Sequence, residues 1–353
     1  MPGKSIEVQG QQQIPSSYTE PSEPAQDEWF AHSSKKRAIE PVTAQALKTS
    51  GGLRIYNELL ADGKLNEWPA YAEKYVKLVE SISTALREEA GIKPGDEKQF
   101  LEQIWGIVGM SNIKIARDNY LYKSLTDMNE IRMDCDESAM LVFDIAKNLK
   151  IDAWVVGVPG HAFVRTSNFF LETTSGAHYP LSSIRAHYPD ILFDSNDIKK
   201  LQSLTFLSLG IVKDGDEKFE YFKKATDANP AQVEAYNDLG SAYVGKNDAR
   251  KEDFEKALAA FNEAISRYPG YANAYFNRGI TFSKLGEFDN AFDDYGTAID
   301  IYSRAIEKDP KDGVARNSLA QAYTLRGNLY LSLEDGEKAE SDFKAAKAIL
   351  LKK

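Results

Sequence analysis

The sequence predicts an α+β region with a small antiparallel sheet, followed by an all-α solenoid. Three observations carry that expectation. From about residue 52 apolar residues recur at three- and four-residue spacing, across 151–174 the period changes to two, and from about 218 an order of Gly, Ala and aromatic residues repeats. With 353 residues and 42% hydrophobic content, the chain suffices for about two domains with buried cores.

Residues 1–48 are rich in Gln, Ser, Pro, Glu and Thr, and read as a disordered arm. The α+β region is expected over 49–196 and the solenoid over 197–353. Within the first, Tyr71, Tyr75, Leu78, Ile82 and Leu86 mark a helix that Gly91 and Pro94 end. A further helical run is expected from Asp96 through Tyr122, as two helices meeting near Gly109. Asp134 and Glu137 then form a capping-box pattern that places Cys135 on the first residue of a helix. Behind it, Ala139, Val142, Phe143, Ala146 and Leu149 form a one-sided apolar stripe.

Residues 151–158 read as a strand, and "HAFVRT", Ser167–Asn168 and "FFLETT" as a hairpin with a two-residue turn. That turn opposes Thr166 to Phe169, Phe163 to Glu172 and His161 to Thr174. His161 and Glu172 are then diagonal neighbours on one face.

In the solenoid, one copy reads Tyr236, Gly240, Tyr243, Ala257, Phe261, Ala264 and Pro269. The next reads Tyr275, Gly279, Phe282, Ala291, Tyr295 and Ala298, and a third Tyr323, Gly327, Tyr330, Ala339, Phe343 and Ala346. An earlier degenerate copy ends in Phe222, Ala225 and Pro230. The second-helix pattern is met twice between Ala291 and Pro310, which predicts a helix longer by about two turns.

These offsets resemble the tetratricopeptide repeat, in about three to four copies, two of them with insertions. The resemblance implies a groove that receives a protein or peptide partner. Some members of that family grip a C-terminal carboxylate, for which Asn277 and Arg326 are residues of suitable type.

A net charge of −10 argues against a general affinity for nucleic acid or anionic lipid. A single cysteine excludes an internal disulfide and fits a reducing compartment. The start shows no apolar core of signal-peptide length, and no run reaches the roughly 18 apolar residues of a membrane span. The expected location is the cytoplasm. One Cys, four His and no CxxC or HExxH spacing predict neither a metal nor another cofactor.

Cysteine chemistry needs a thiolate, a base and a group that orients the base, and the chain supplies Cys135, His161 and Glu172 in that order. A helix N-terminus lowers a thiol pKa, whereas Asp134, Asp136 and Glu137 oppose ionisation. Asp134 is expected to turn back into its cap and the other two acids to be solvated. The backbone N–H of Cys135 is one candidate oxyanion donor, and Tyr120, Tyr122 or Asn129 a second. Plainer readings stand beside this one: Cys135 as buried filler, His161 as a satisfied core histidine, Glu172 as a partner of Arg165, and His178 or His187 as rival bases. His32 lies in the arm.

The stretch "DCDESAMLVFDIAKNLKIDAWVVGV", with "GHAFVR" and "FFLETT", resembles the transglutaminase-like branch of the papain-like superfamily. The short hairpin is similar to that of its SirB1-like relatives. The resemblance implies Cys135 as nucleophile, His161 as base and Glu172 as orienting acid in amide hydrolysis or transamidation. Met133 stands where that family often has Gly, and Glu172 where it commonly has Asp. The alternative expectation is a catalytically silent scaffold that works through its repeats.

Overall fold

The computed structural model describes residues 41–110, 113–115, 121–125, 131–133, 135–158, 161–173, 176–184, 193–308, 310 and 312–351. Helix α1 (Pro41–Ala46) lies inside the stretch that composition assigns to an arm, and Ala46 is wholly buried. Six residues with two apolar anchors are too short to show a period.

Helix α2 (Ser50–Ala61) starts at Thr49, whose hydroxyl accepts from the Gly52 N–H. Helix α3 (Trp68–Glu88) has Pro69 in its first turn and buries Tyr75, Val76, Leu78, Val79, Ile82 and Leu86. It ends before Gly91, whose φ of 67° lies in the left-handed region.

Helix α4 (Glu97–Met110) is shorter than the helical run expected from Asp96 through Tyr122. Ile113–Ile115 is instead strand β1, paired in parallel with β2 (Ile131–Met133), and a short helix α5 (Leu121–Ser124) lies between them in sequence. The alternating isoleucines suit a strand, and pairing with a segment 18 residues away decides the matter.

Helix α6 (Cys135–Asn148) begins on Cys135. Its expected one-sided stripe is exceeded: every residue from Glu137 to Ala146 is buried, because α6 runs between α2 and α3 and the sheet. That sheet is antiparallel, in the order β6 (His178–Pro180), β5 (Phe169–Leu171), β4 (His161–Arg165), β3 (Trp154–Val158) and β7 (Phe193–Ser195). Strands β6 and β7, three residues each, escape sequence reading.

Alternation gives the sheet two faces. Val155, Ala162, Val164 and Leu171 join the main core with α6, whereas Val156, Val158, Phe163 and Phe170 pack with Ile184 in a second, smaller cluster.

Among the described residues the remaining chain forms four helical hairpins: α7 (Ile198–Val212) with α8 (Gly215–Ala228), α9 (Val233–Val244) with α10 (Lys251–Arg267), α11 (Ala272–Leu285) with α12 (Phe288–Lys308), and α13 (Gly313–Ser332) with α14 (Gly336–Leu351). The close helix approach has one cause throughout. A β-carbon at Gly210 would lie 2.5 Å from the Phe222 ring, at Gly240 2.6 Å from Phe261, at Gly279 3.0 Å from Tyr295 and at Gly327 2.8 Å from Phe343. Glycine on the first helix admits the aromatic ring of the second. The degenerate copy thus has a complete first helix, with Gly210 in the repeat position, and α12 spans 21 residues against 14 in α11.

Helix α7 belongs to both regions. Leu201 and Leu204 lie in the core of the α+β region, and that core continues to Val233, Ala264, Tyr271 and Ala274. Gln202 accepts from Asn57 on α2 at 3.1 Å and donates to the Ser50 carbonyl at 3.3 Å. Residues Pro41–Lys353 form one compact unit. Among the described residues no helix is long and apolar enough to cross a membrane.

Candidate functional site

The hairpin ladder pairs Val164 with Leu171 and Arg165 with Phe170, and the Thr166 N–H donates to the Phe169 carbonyl at 2.8 Å. In this register Glu172 stands diagonally from His161, and His161 Nε2 meets Glu172 Oε2 at 2.9 Å. Both side chains are mostly buried. The Glu172 backbone is held as well: its N–H donates to the Ala177 carbonyl, and its carbonyl accepts from Gly176. A proton on Nε2 directed at the carboxylate leaves Nδ1 as the basic nitrogen of that tautomer.

Arg165 is not the partner of Glu172. Its Nε donates to Asp194 Oδ2 at 2.6 Å and its guanidinium lies 4.0 Å over the Trp154 ring. His178, on β6, is exposed. His32 and His187 lie outside the described residues.

Cys135 heads α6 and is half-buried. An N–H on the first helical residue has no acceptor within its own helix, which suits it to an external oxyanion. The thiol, however, donates to Asp136 Oδ1 at 3.6 Å, so this acid faces the sulfur rather than solvent alone. Glu137, also expected to be solvated, is fully buried; its Oε1 accepts from Arg54 Nη2 at 3.3 Å, and Arg54 Nε donates to Glu58 at 2.8 Å. The pattern of acids in sequence contains no sign of Arg54, 83 residues away.

The His161–Glu172 pair belongs to the sheet face that carries Phe163 and Phe170, and the His161 and Phe163 rings are 6.2 Å apart. The body of α6 covers the other face. Asp134, Tyr120 and Asn129 lie outside the described residues, as does the side chain of Tyr122.

In the helical array, Asn277 Nδ2 donates to Asn237 Oδ1 at 2.9 Å and to Ser241 Oγ at 3.2 Å, tying α11 to α9. Arg326 makes a two-pronged contact with Asp342, 2.8 Å on each side, and Arg278 an equivalent one with Asp294 at 2.7 Å. Both pairs raise the arginine pKa, chiefly through the hydrogen bond to the aspartate. Each arginine precedes the repeat glycine and each aspartate precedes the repeat aromatic, a correlated signal legible in the aligned copies but missed there.

Four hairpins with a glycine-to-ring contact in each define a helical-repeat protein. Residues 245–312 match a family model described as tetratricopeptide repeat, and residues 320–349 match a second of the same description. The array therefore carries tetratricopeptide repeats.

Similar proteins include "Stress-induced-phosphoprotein 1" of Caenorhabditis elegans, 25% identical over 173 residues, which covers 49% of this chain and 46% of that protein. "Hsp70-Hsp90 organizing protein 3" of Arabidopsis thaliana is 22% identical over 220 residues, 62% and 33% of the two chains. "Tetratricopeptide repeat protein 36" of Danio rerio is 34% identical over 121 residues, 34% and 58%. The matched part of the chain spans less than half the length of the first two relatives.

Proposed function

We propose that this protein is a partner-binding scaffold, in which the tetratricopeptide array holds a protein or peptide and the α+β region forms a transglutaminase-like base beneath its first hairpin. The observation that carries this reading is the stack of four hairpins, each packed on the next, the construction that gives such arrays an extended binding surface. The name of the Arabidopsis relative, which organizes two other proteins, favours a protein ligand.

Selection of displayed random 12-residue peptides on the full chain tests it. Support is an enriched sequence family whose affinity falls about fivefold or more in Asn277→Ala, which cuts the link between α9 and α11, and is unchanged in Cys135→Ser. Absence of any enriched family overturns the reading. The full chain is required, because removing α2 would strip Gln202 and Leu201 of their partners.

A second reading is favoured by the His161–Glu172 contact: cysteine-dependent acyl transfer on the bound partner. Cys135 would attack an amide carbonyl, His161 would take the thiol proton and return it to the departing amine, and Glu172 would orient the imidazole. Water or a second amine would then release the acyl group. This reading requires the first turn of α6 and the head of β4 to meet at the end of the sheet, and the bond from the thiol to Asp136 to yield. Alkylation of Cys135 as a function of pH, in wild type and His161→Ala, decides the point. A thiol pKa at or above the ordinary value of about 8.5, unmoved by the substitution, sinks it.

A further inference from the structure

Between the α7–α8 hairpin and α9 lies a cavity of about 670 Å³. Its apolar floor is made by Ile211, Phe219, Phe222 and Ala242, and Ile211 and the adjoining Val212 are 59% and 49% exposed. Its rim is acidic: Asp214, Asp216 and Asp248 stand around it. Among the described residues its cations are Lys218 and Lys246, and Lys246 is committed to Asp253 at 3.3 Å.

Asp238 differs from the rim acids. Asp214 and Asp216 stand at the start of α8, where negative charge complements the helix, and Asp248 is exposed. Asp238 sits in the middle of α9 with a mostly buried side chain, where an aspartate gains nothing from the helix. Its Oδ1 accepts from Asn237 Nδ2 at 3.1 Å, and Asn237 is in turn engaged by Asn277. Burial pushes this carboxyl up to about 6, against the lowering effect of Asn237. The wall of the cavity thus contains a carboxylate that lacks a cationic partner among the described residues, beside exposed apolar surface.

We propose that this cavity receives a basic peptide segment of a partner protein, with an apolar side chain resting on Ile211 and Phe219 and a neighbouring lysine or arginine meeting Asp238. The inference rests on the reading of the array as a partner-binding surface and specifies the chemistry of the partner. Charge complementarity selects the occupant: acids outnumber uncommitted cations at the rim, so an acidic or phosphorylated segment is repelled.

A pH dependence follows. The charged and titratable groups facing Asp238 are Asp214, Asp216 and Lys218 of the hairpin, Lys246 and Asp248 of the following loop, and Tyr271 beside α11. Asp238 is the buried carboxyl of this set, pushed up to about 6, and the change in affinity near pH 6 belongs to it.

The test runs the displayed 12-residue library in parallel on the full-length wild type and on Asp238→Asn, which keeps the shape and removes the charge. The expected result is enrichment, on wild type alone, of peptides that place Lys or Arg beside Leu, Ile or Phe. Synthetic copies should lose about tenfold in affinity on Asp238→Asn. They should lose a similar factor on wild type between pH 7.5 and pH 5, and less than about twofold on the variant over the same range. Asp300→Asn, an exposed acid on α12, controls for general attraction to an acidic chain and should leave affinity unchanged.

Enriched peptides that are acidic or neutral, or equal affinity for wild type and Asp238→Asn, overturn the proposal and leave the partner-binding reading intact. No enrichment on any chain overturns both. Should Asp238→Asn melt below wild type, the double variant Asp214→Asn/Asp216→Asn takes its place, with a loss of about threefold or more expected and an unchanged affinity counting against the proposal.

Discussion

In the later hairpins of the helical array two half-buried arginines find their partners nearby in sequence. Arg278 reaches Asp294 and Arg326 reaches Asp342, both across 16 residues within one hairpin. In the α+β region, beside the local Arg54–Glu58 pair, the partners are distant. Asp144 on α6 accepts from the Ser50 N–H and hydroxyl 94 residues away, from the Gly51 N–H 93 away and from the Tyr75 hydroxyl 69 away, while Arg54 reaches Glu137 across 83. The array is thus a sum of neighbouring hairpins, and the α+β region a single cooperative knot around α6.

The largest effect should come from cutting that knot. Asp144→Ala would leave the Ser50 and Gly51 N–H groups and the Tyr75 hydroxyl buried without their acceptor, and should cost about 3–5 kcal/mol in urea denaturation. Hydrogen exchange should quicken across α2, α3 and α6 while α12–α14 keep their protection. Equal quickening in both regions would erase the contrast.

A smaller and local effect is expected in the array. Gly240→Ala sets a β-carbon 2.6 Å from the Phe261 ring and should cost about 1–3 kcal/mol, with faster exchange confined to α9, α10 and their neighbours. Gly296→Ala, on α12 with open space around it, should instead stabilise by about 0.5–1 kcal/mol. A Gly240→Ala effect that spreads to α3 would show that the shared core at α7 couples the two regions more tightly than the hydrogen bonds indicate.

A last shift is also stabilising, and it depends on pH. Asp238 has a native pKa of about 6, above the ordinary aspartate value, so ionisation costs the folded state free energy. That cost is absent below about pH 4, grows from pH 4 to 6 and is complete above 6. Asp238→Asn should therefore stabilise by about 1–2 kcal/mol at pH 7.5, a figure reduced for partial solvent contact, and by nothing at pH 4. Denaturation at the two pH values checks it.

What was legible in the sequence follows the same division. The array was readable because its contacts repeat: Gly240, Gly279 and Gly327 recur with Phe261, Tyr295 and Phe343, and even the extra length of α12 showed in the doubled pattern at Ala291 and Ala298. Gly210 was missed because its helix lacks the other repeat residues, having been recruited into the core at Leu201 and Leu204. Around the candidate triad, local signals sufficed for the start of α6 and for the turn at Ser167–Asn168 that sets His161 beside Glu172. They could not show Asp136 against the sulfur, Glu137 buried on Arg54, or Arg165 taken by Asp194.

The sequence by itself determined the helical repeats, the hairpin register and the position of Cys135 at a helix start, since each depends on residues within about one supersecondary unit. Only the tertiary structure decided that Ile113–Ile115 is a strand, that α7 serves both regions and that Asp238 faces an apolar cavity. The reason is physical: a buried charge or a three-residue strand draws its stability from partners tens of residues away, and no local period records them.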